Sequence, residues 1–355
     1  MLEIKINKTS NPKEKPSDGS KLGFGKIFTD HMLMMDYNLE EGWHNAQIIP
    51  YGNIELSPAS VVLHYASECF EGMKAYLDVN KEIVLFRPEE NAKRFNRSLT
   101  RLCAPEINTE DFVQAVKTLV DVDREWVPAW DNTSLYIRPF MIATEETLGV
   151  TISTQYKFMI ICSPSGAYHS NNLVPTKIFV EDTFIRAAEG GTGDVKVGGN
   201  YAAGLKGQKK ASDLGYSQVL WLDAKENKYI EEVGSMNVFF MMKNKIYTAP
   251  TTGTILPGIT RMSCIALLKA WGYEVIEVKY SIDEVFAAYQ AGQLQEVFGT
   301  GTAAVITPIG QLYYKGEEII VNDGNTGELT MKLFQELTNI QLGKAEDKYN
   351  WITKV

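Results

Sequence analysis

Apolar positions along the chain alternate between two periods. After Pro88 the run ENAKRFNRSLTRL carries Ala92, Phe95, Leu99 and Leu102 at spacings of 3, 4 and 3, the period of one helix face. It predicts an amphipathic helix with Pro88 near its start. Thr109 is placed to cap the next helix, with Glu110 and Asp111 in its first turn, where they favour the helix dipole. Residues 83–86 and 158–162 are short apolar runs that suit buried strands. Further strands are predicted at 177–180, 218–222, 237–242, 274–279 and 296–298. Helices are predicted at 201–214 and 260–271, ended by Gly215 and Gly272. A last helix carries Leu333, Leu337 and Ile340 on one face.

Strands and helices mixed through both halves predict two α/β (α+β) domains. The 355 residues also suit two domains of ordinary size. Residues 1–22, rich in Lys, Ser, Pro and Gly, read as a loose lead-in. Residues 23–164 form a smaller first domain, 165–176 a linker concentrating Ser, Pro, Gly and Asn, and 177–355 a larger second domain. The first residues lack a signal peptide's apolar core and a transit peptide's arginine-rich character, so a cytoplasmic protein is expected.

Composition narrows the chemistry. Lys+Arg total 35 against 44 Asp+Glu, a net charge of −9, which argues against a nucleic-acid binder. No apolar run approaches the ~20 residues of a membrane helix. The four cysteines, Cys69, Cys103, Cys162 and Cys264, are far apart, and the four histidines form no HExxH. No metal site is expected.

Five segments could do chemistry. GGTGDVKVGGNY (190–201) surrounds Lys196 with five glycines. In a strand, Val195 and Val197 would face one way and Lys196 the other, which could set one amine on a pocket floor. Such an amine can attack a carbonyl; a surface lysine in a glycine-rich hairpin fits the same residues. IEEVGSMN (230–237) sets two carboxylates before a turn and an apolar strand. It is either an exposed acidic hairpin or a carboxylate held beside a protonated ring nitrogen. LPGITR (256–261) and GTGTAA (299–304) could bind anions through backbone amides. GTGTAA also matches G-x-G-x-x-A, but a strand-like VITPIG follows it where a dinucleotide site needs a helix. In LYIRP (135–139), Tyr136 and Arg138 share a strand face and could bind a carboxylate. One lysine, one carboxylate, an arginine and two anion loops together suit pyridoxal phosphate.

The blocks HYASECFEGMKAY, LYIRP, VKVGGNYAAGLKGQ, EEVGSMNVFF, ILPGITR and FGTGTAAVITP closely resemble those of the branched-chain amino acid aminotransferases, pyridoxal-phosphate enzymes of fold type IV. GFGKIFTDHMLMMDY resembles the start of the family's eukaryotic-like branch. The similarity runs in order from about Leu22 onward. It implies a two-domain fold with pyridoxal 5'-phosphate in the cleft between domains, and a homodimer. The implied reaction moves the amino group of L-leucine, L-isoleucine or L-valine to 2-oxoglutarate, reversibly.

By the same resemblance, Lys196 holds the cofactor as a Schiff base and later carries the substrate's α-proton. Tyr201 bonds the phenolic oxygen, and Glu232 meets the ring nitrogen. Arg94, Ile259, Thr260 and Thr302 match phosphate-binding positions. Tyr65, Phe70, Tyr136, Arg138, Val150 and Tyr168 match the substrate pocket, with Val150 reaching across from the other subunit. Thr302 and Ala303 would bind the α-carboxylate through backbone N–H groups. One departure stands out. Some relatives carry a redox-active CxxC after GTA; here the positions hold Ala304 and Thr307.

Overall fold

A computed structural model describes residues 2–166 and 173–355. The chain divides into two compact units. The first contains Met1–Tyr168, Lys196–Gly198 and Asn339–Val355; the second contains His169–Val195 and Gly199–Thr338.

The first unit is built on β1 (Lys5–Ile6), β2 (His31–Asn38), β3 (Gly42–Pro50), α1 (Val61–Tyr65), β4 (Glu68–Phe70), β5 (Met73–Leu77), β6 (Ile83–Phe86), α2 (Pro88–Arg101), α3 (Thr109–Val122), β7 (Ser134–Ala143) and β8 (Tyr156–Ser165). Its sheet runs β1-β3-β2-β8-β7-β5-β6 and ends on the C-terminal strand Ile352–Lys354, with β4 also paired to β7. The predicted face of α2 is the buried one, and Pro88 opens the helix. Phe95 of α2, Phe112 of α3 and Phe158 of β8 meet with ring centroids 5.4–5.6 Å apart. Each such pair adds roughly 0.5–1.5 kcal/mol beyond its area burial, so this cluster fixes both helices on the sheet.

The second unit contains β9 (Thr176–Glu181), all but the first residue of α4 (Gly198–Asp213), β10 (Gln218–Leu222), β11 (Ile230–Val233), β12 (Met236–Met242), β13 (Lys245–Thr248), α5 (Ile259–Ala270), β14 (Val275–Glu277), α6 (Ile282–Gln290), β15 (Leu294–Gly301), β16 (Val305–Tyr314), β17 (Glu317–Ile320) and most of α7 (Glu328–Gln341). Its sheet runs β11-β10-β9-β16-β15-β12-β13-β14, and β11 also pairs with β12. Six strands therefore close into a ring. Ile178, Val180, Leu220 and Leu222 join one core, while Phe179, Val219 and Trp221 join another. That alternation buries β9 and β10 on both faces. α4 packs closely because residue 207 is glycine: a Cβ there would meet the Trp221 ring at 2.7 Å. Gly215 and Gly272, with φ of 85° and 83°, end α4 and α5 as the sequence predicts.

Five expectations change. The lead-in 1–22 is tied down rather than loose. β1 pairs with β3, Thr9 N–H donates to His31 Nε2, and Lys13 donates to Asp30, Phe28 and Thr29. The helix after 108 is capped by Asn108, whose Oδ1 accepts N–H groups of Glu110 and Asp111; Thr109 is its first helical residue. The second domain does not keep residues 177–355, because Ile352–Lys354 pairs with β6 in the first unit. Lys196–Gly198 likewise belongs to the first unit. Finally, residues 191–195 form bends and a turn, and Val197 makes only an isolated bridge to Cys69, so no strand forms here. The Asn200 side chain donates to the carbonyls of Thr192 and Val195 and takes up groups that a strand would have paired. Of the expected linker 165–176, residues 167–172 lie outside the described residues, while Ser165 ends β8 and Thr176 opens β9. No helix among the described residues is long and apolar enough to cross a membrane.

Candidate active site

In the first unit, β4 and α2 hold the backbone of Lys196. Its N–H donates to Ser98 Oγ at 3.0 Å, and its carbonyl accepts the Phe70 N–H at 3.0 Å. Val197 bridges Cys69. The next residue must be glycine, since a Cβ at 198 would lie 1.7 Å from Glu68 Oε1. Burial raises the Glu68 carboxyl above its ordinary value, against the opposing pull of the Gly198 N–H and Arg138.

Lys196 Nζ stands 4.6 Å from the centre of the Phe70 ring, and the Arg138 guanidinium also lies 4.6 Å from that centre. β7 presents Tyr136 and Arg138 on one face, as predicted. Arg138 Nη2 donates to Tyr136 Oη at 3.0 Å, and its Nε donates to the Glu71 carbonyl at 3.0 Å. Gly72 makes room for this pair: a Cβ there would lie 2.1 Å from Tyr136 Oη. Phe70, Tyr136, Arg138 and Lys196 are thus gathered around one ring.

Arg94 is buried and bidentate on Glu71, with Nε–Oε1 at 2.7 Å and Nη2–Oε2 at 2.9 Å. Asn91 Nδ2 (2.7 Å) and the Gly72 N–H (3.1 Å) also donate to Glu71 Oε2. Burial would raise the Glu71 carboxyl, but Arg94, Lys196 and Asn91 outweigh it and hold it below the usual range. These bonds occupy two of the five N–H donors of Arg94. Tyr65 Oη donates to the Leu148 carbonyl at 2.5 Å, and Val150 lies 85% exposed beside exposed Leu148 and Ile152. Tyr168 lies outside the described residues.

In the second unit, Tyr201 on the first turn of α4 and Glu232 on β11 line one cavity of ≈ 320 Å³, with Arg186, Asn200 and Leu256. Glu232 Oε1 accepts the Leu256 N–H at 2.8 Å, and Oε2 lies 3.2 Å from Arg186 Nε. Glu232 is in register with Asn237, which is in register with Thr300. Asn237 Nδ2 donates to the Leu256 carbonyl at 2.9 Å. Gly258, the N-cap of α5, packs on Asn237: a Cβ there would meet Oδ1 at 2.1 Å. No side chain caps α5, so the first-turn amides that include Ile259 and Thr260 point out of the helix without a capping group. Thr302 and Ala303 lie in the turn between antiparallel β15 and β16. GTGTAA is therefore a hairpin, and the dinucleotide reading is excluded by the absence of a helix after it.

Glu71, Ser98, Glu68 and Arg186 are absent from the sequence-based candidates. Glu71 lay inside the block HYASECFEGMKAY, where an acid before glycine in an apolar strand region was the available signal. Ser98 and Arg186 sit in no chemical motif. No group of His, Cys, Asp and Glu that could hold a metal occurs among the described residues.

Residues 68–312 match the family model described as amino-transferase class IV. The chain is 55% identical over 349 residues to a probable branched-chain-amino-acid aminotransferase of Staphylococcus aureus, covering 98% of this chain and 97% of that one. It is 51% identical over 352 residues to branched-chain-amino-acid aminotransferase 2 of Bacillus subtilis, covering 99% and 97%. Among solved structures, it superposes on the branched-chain amino acid aminotransferase of Escherichia coli with a TM-score of 0.76, 28% identity, and coverage of 91% and 98%. A second solved branched-chain amino acid aminotransferase, complexed with N-(5'-phosphopyridoxyl)-L-glutamate, matches with a TM-score of 0.75, 26% identity, and coverage of 94% and 98%. With the family model spanning most of its length and curated relatives matching it almost end to end, the chain belongs to the class IV aminotransferases.

Proposed function

We propose that this protein is a cytoplasmic homodimer that uses pyridoxal 5'-phosphate. It transfers the amino group of L-leucine, L-isoleucine or L-valine to 2-oxoglutarate, reversibly, and yields branched-chain 2-oxo acids and L-glutamate. One observation carries this reading: the Lys196 amine, the Phe70 ring, Tyr136 and Arg138 form one cluster. It combines a nucleophilic amine, an apolar wall for aliphatic side chains and a cation for a second carboxylate. The names of the relatives point the same way.

The donor set fits the cofactor. The cavity of Tyr201 and Glu232 offers a hydroxyl and a carboxylate. The uncapped start of α5 lies where Gly258 leaves no side chain, an arrangement suited to a phosphate. When bound, pyridoxal phosphate supplies an aldehyde and an electron-accepting ring.

The chain's own residues do the rest. Lys196 Nζ would hold the cofactor through its aldehyde carbon and, as a free amine, would move the substrate's α-proton away from Cα, as general base then acid. Tyr201 would donate to the phenolic oxygen. Glu232 would accept from the ring nitrogen and stabilise its positive charge. Ile259 and Thr260 offer backbone amides to the phosphate, together with Thr302 and Arg94. Thr302 and Ala303 offer amides to the α-carboxylate. Phe70, Tyr65 and Tyr136 would wall the side-chain pocket, and Arg138 would donate to the second carboxylate of glutamate. The exposed tip at Leu148, Val150 and Ile152 is an apolar surface that a second copy would cover, placing Val150 in the partner's pocket.

Steady-state kinetics with L-leucine, L-isoleucine and L-valine against 2-oxoglutarate test the reading. Turnover of all three supports it. Turnover of D-alanine without L-leucine overturns it.

A further inference from the structure

Arg186 lies between β9 and α4 with its side chain 9% exposed. Its Nε lies 3.2 Å from Glu232 Oε2, an ion contact without the alignment of a hydrogen bond. Its Nη2 donates to two carbonyls, Gly193 at 2.9 Å and Thr254 at 2.5 Å. The three partners sit on three segments of the second unit. Glu232 is on β11. Gly193 is in the turn that precedes Lys196 by three residues. Thr254 is in the loop that leads through Leu256 and Gly258 into α5. Glu232 holds that same loop through the Leu256 N–H at 2.8 Å.

One nitrogen can reach both carbonyls only because residue 193 is glycine. A Cβ there would meet the Thr254 carbonyl oxygen at 2.4 Å and Ala187 Cβ at 2.5 Å. The charge balance is also specific. Glu231, the neighbour of Glu232, is buried, and its Oε2 has no hydrogen-bond partner. Burial pushes the Glu231 carboxyl up to about 7, although Thr254 and Arg186 act in the other direction. Arg186 stands against Glu232 as an ion pair, and the adjacent carboxyl keeps one oxygen without a hydrogen bond.

We propose that Arg186 is a positioning residue of the cofactor site. It aims the Glu232 carboxylate and locks the turn before Lys196 and the loop before α5 onto it. The inference rests on the reading above, in which Glu232 meets the ring nitrogen. A planar guanidinium suits the task because it sets its charge beside the carboxylate while one fixed nitrogen donates to both carbonyls. A lysine ammonium would supply the charge without that geometry.

The test compares Arg186→Met, Arg186→Lys and Glu232→Gln as holoenzymes. The readouts are kcat and KM for L-leucine, and the 15N resonance of the ring nitrogen of bound, labelled pyridoxal phosphate. Arg186→Met is expected to lower kcat about 100-fold, the scale of a misplaced catalytic group, with KM little changed. Its ring-nitrogen resonance should move toward that of Glu232→Gln. Arg186→Lys is expected to recover about tenfold of kcat, the worth of one charge-assisted hydrogen bond, and most of the resonance. A folded Arg186→Met with wild-type kcat and resonance overturns the proposal, as does an Arg186→Lys no better than Arg186→Met. If Arg186→Met does not fold, Arg186→Lys decides: a kcat about tenfold below wild type supports positioning, and wild-type kcat overturns it. If neither folds, the role is structural and the proposal fails. An unchanged resonance in Glu232→Gln would instead overturn the reading of Glu232 itself.

Discussion

Replacing Glu71 by glutamine keeps the side chain's shape and removes its charge. Four donors converge on its two oxygens: Arg94 Nε on Oε1, and Arg94 Nη2, Asn91 Nδ2 and the Gly72 N–H on Oε2. A glutamine has one acceptor and one donor group. With its oxygen in the Oε2 position, its amine faces the Arg94 Nε–H; turned over, it faces the other three donors. Either way the buried guanidinium loses its counter-charge, and Glu71 is 0% and Arg94 3% exposed. Removing one member of a buried ion pair costs about 3–5 kcal/mol. Urea unfolding at pH 7.5, followed by fluorescence, should show a loss of that size.

The pH dependence of the same experiment has a definite sign. The folded Glu71 carboxyl is held below its ordinary value because Arg94 and Lys196 outweigh the effect of burial. Its contribution is therefore complete above the unfolded value of about 4.3. It is lost as pH falls through the lower folded value. The gap between wild type and Glu71→Gln should close only in strong acid. A gap under about 1 kcal/mol at pH 7.5 would refute a tightly coupled pair, on the scale of exposed ion pairs. A gap that grows on acidification would refute the sign.

Other expectations follow from single contacts. Cys69, Cys162 and Cys264 are buried and Cys103 is exposed; burial raises the first two thiols well above the ordinary range and pushes Cys264 up to about 12. Iodoacetamide should label Cys103 alone in the native protein and all four in urea; rapid native labelling of Cys69 or Cys162 would contradict the fold. His31→Ala strips the buried Asp123 of the His31 Nδ1 contact at 2.6 Å and frees the Thr9 N–H. Losing a hydrogen bond to a buried carboxylate should cost about 1.5–3 kcal/mol in urea unfolding and open residues 1–22 to limited proteolysis. An unchanged digestion pattern would count against the tie.

What the sequence made legible depended on the range of the forces involved. The α2 face and the Gly215 and Gly272 stops are local, written in spacing and in φ. Asn108 as the cap was less legible, because Asn108 and Thr109 both favour N-caps and only backbone geometry chooses between them. The pairing of Ile352 with Phe86 joins distant segments, and no periodicity near either end records it. The lead-in looked loose by composition, but its order comes from partners at Asp30 and His31. At the candidate site, Tyr136 and Arg138 were legible because strand alternation puts them on one face. Lys196, Tyr201 and Glu232 stood out through glycines, acids and the family blocks around them. Glu71 and Arg186 did not, since each matters through bonds to residues far along the chain.

The central claim is that Lys196 is the residue that holds the cofactor. The direct test is borohydride reduction of the pyridoxal-phosphate-loaded protein, followed by proteolysis and mass mapping. A phosphopyridoxyl group on Lys196, in the peptide around GGTGDVKVGGNY, is the predicted result. A stable label on another lysine, or a fully active protein that acquires none, would contradict it.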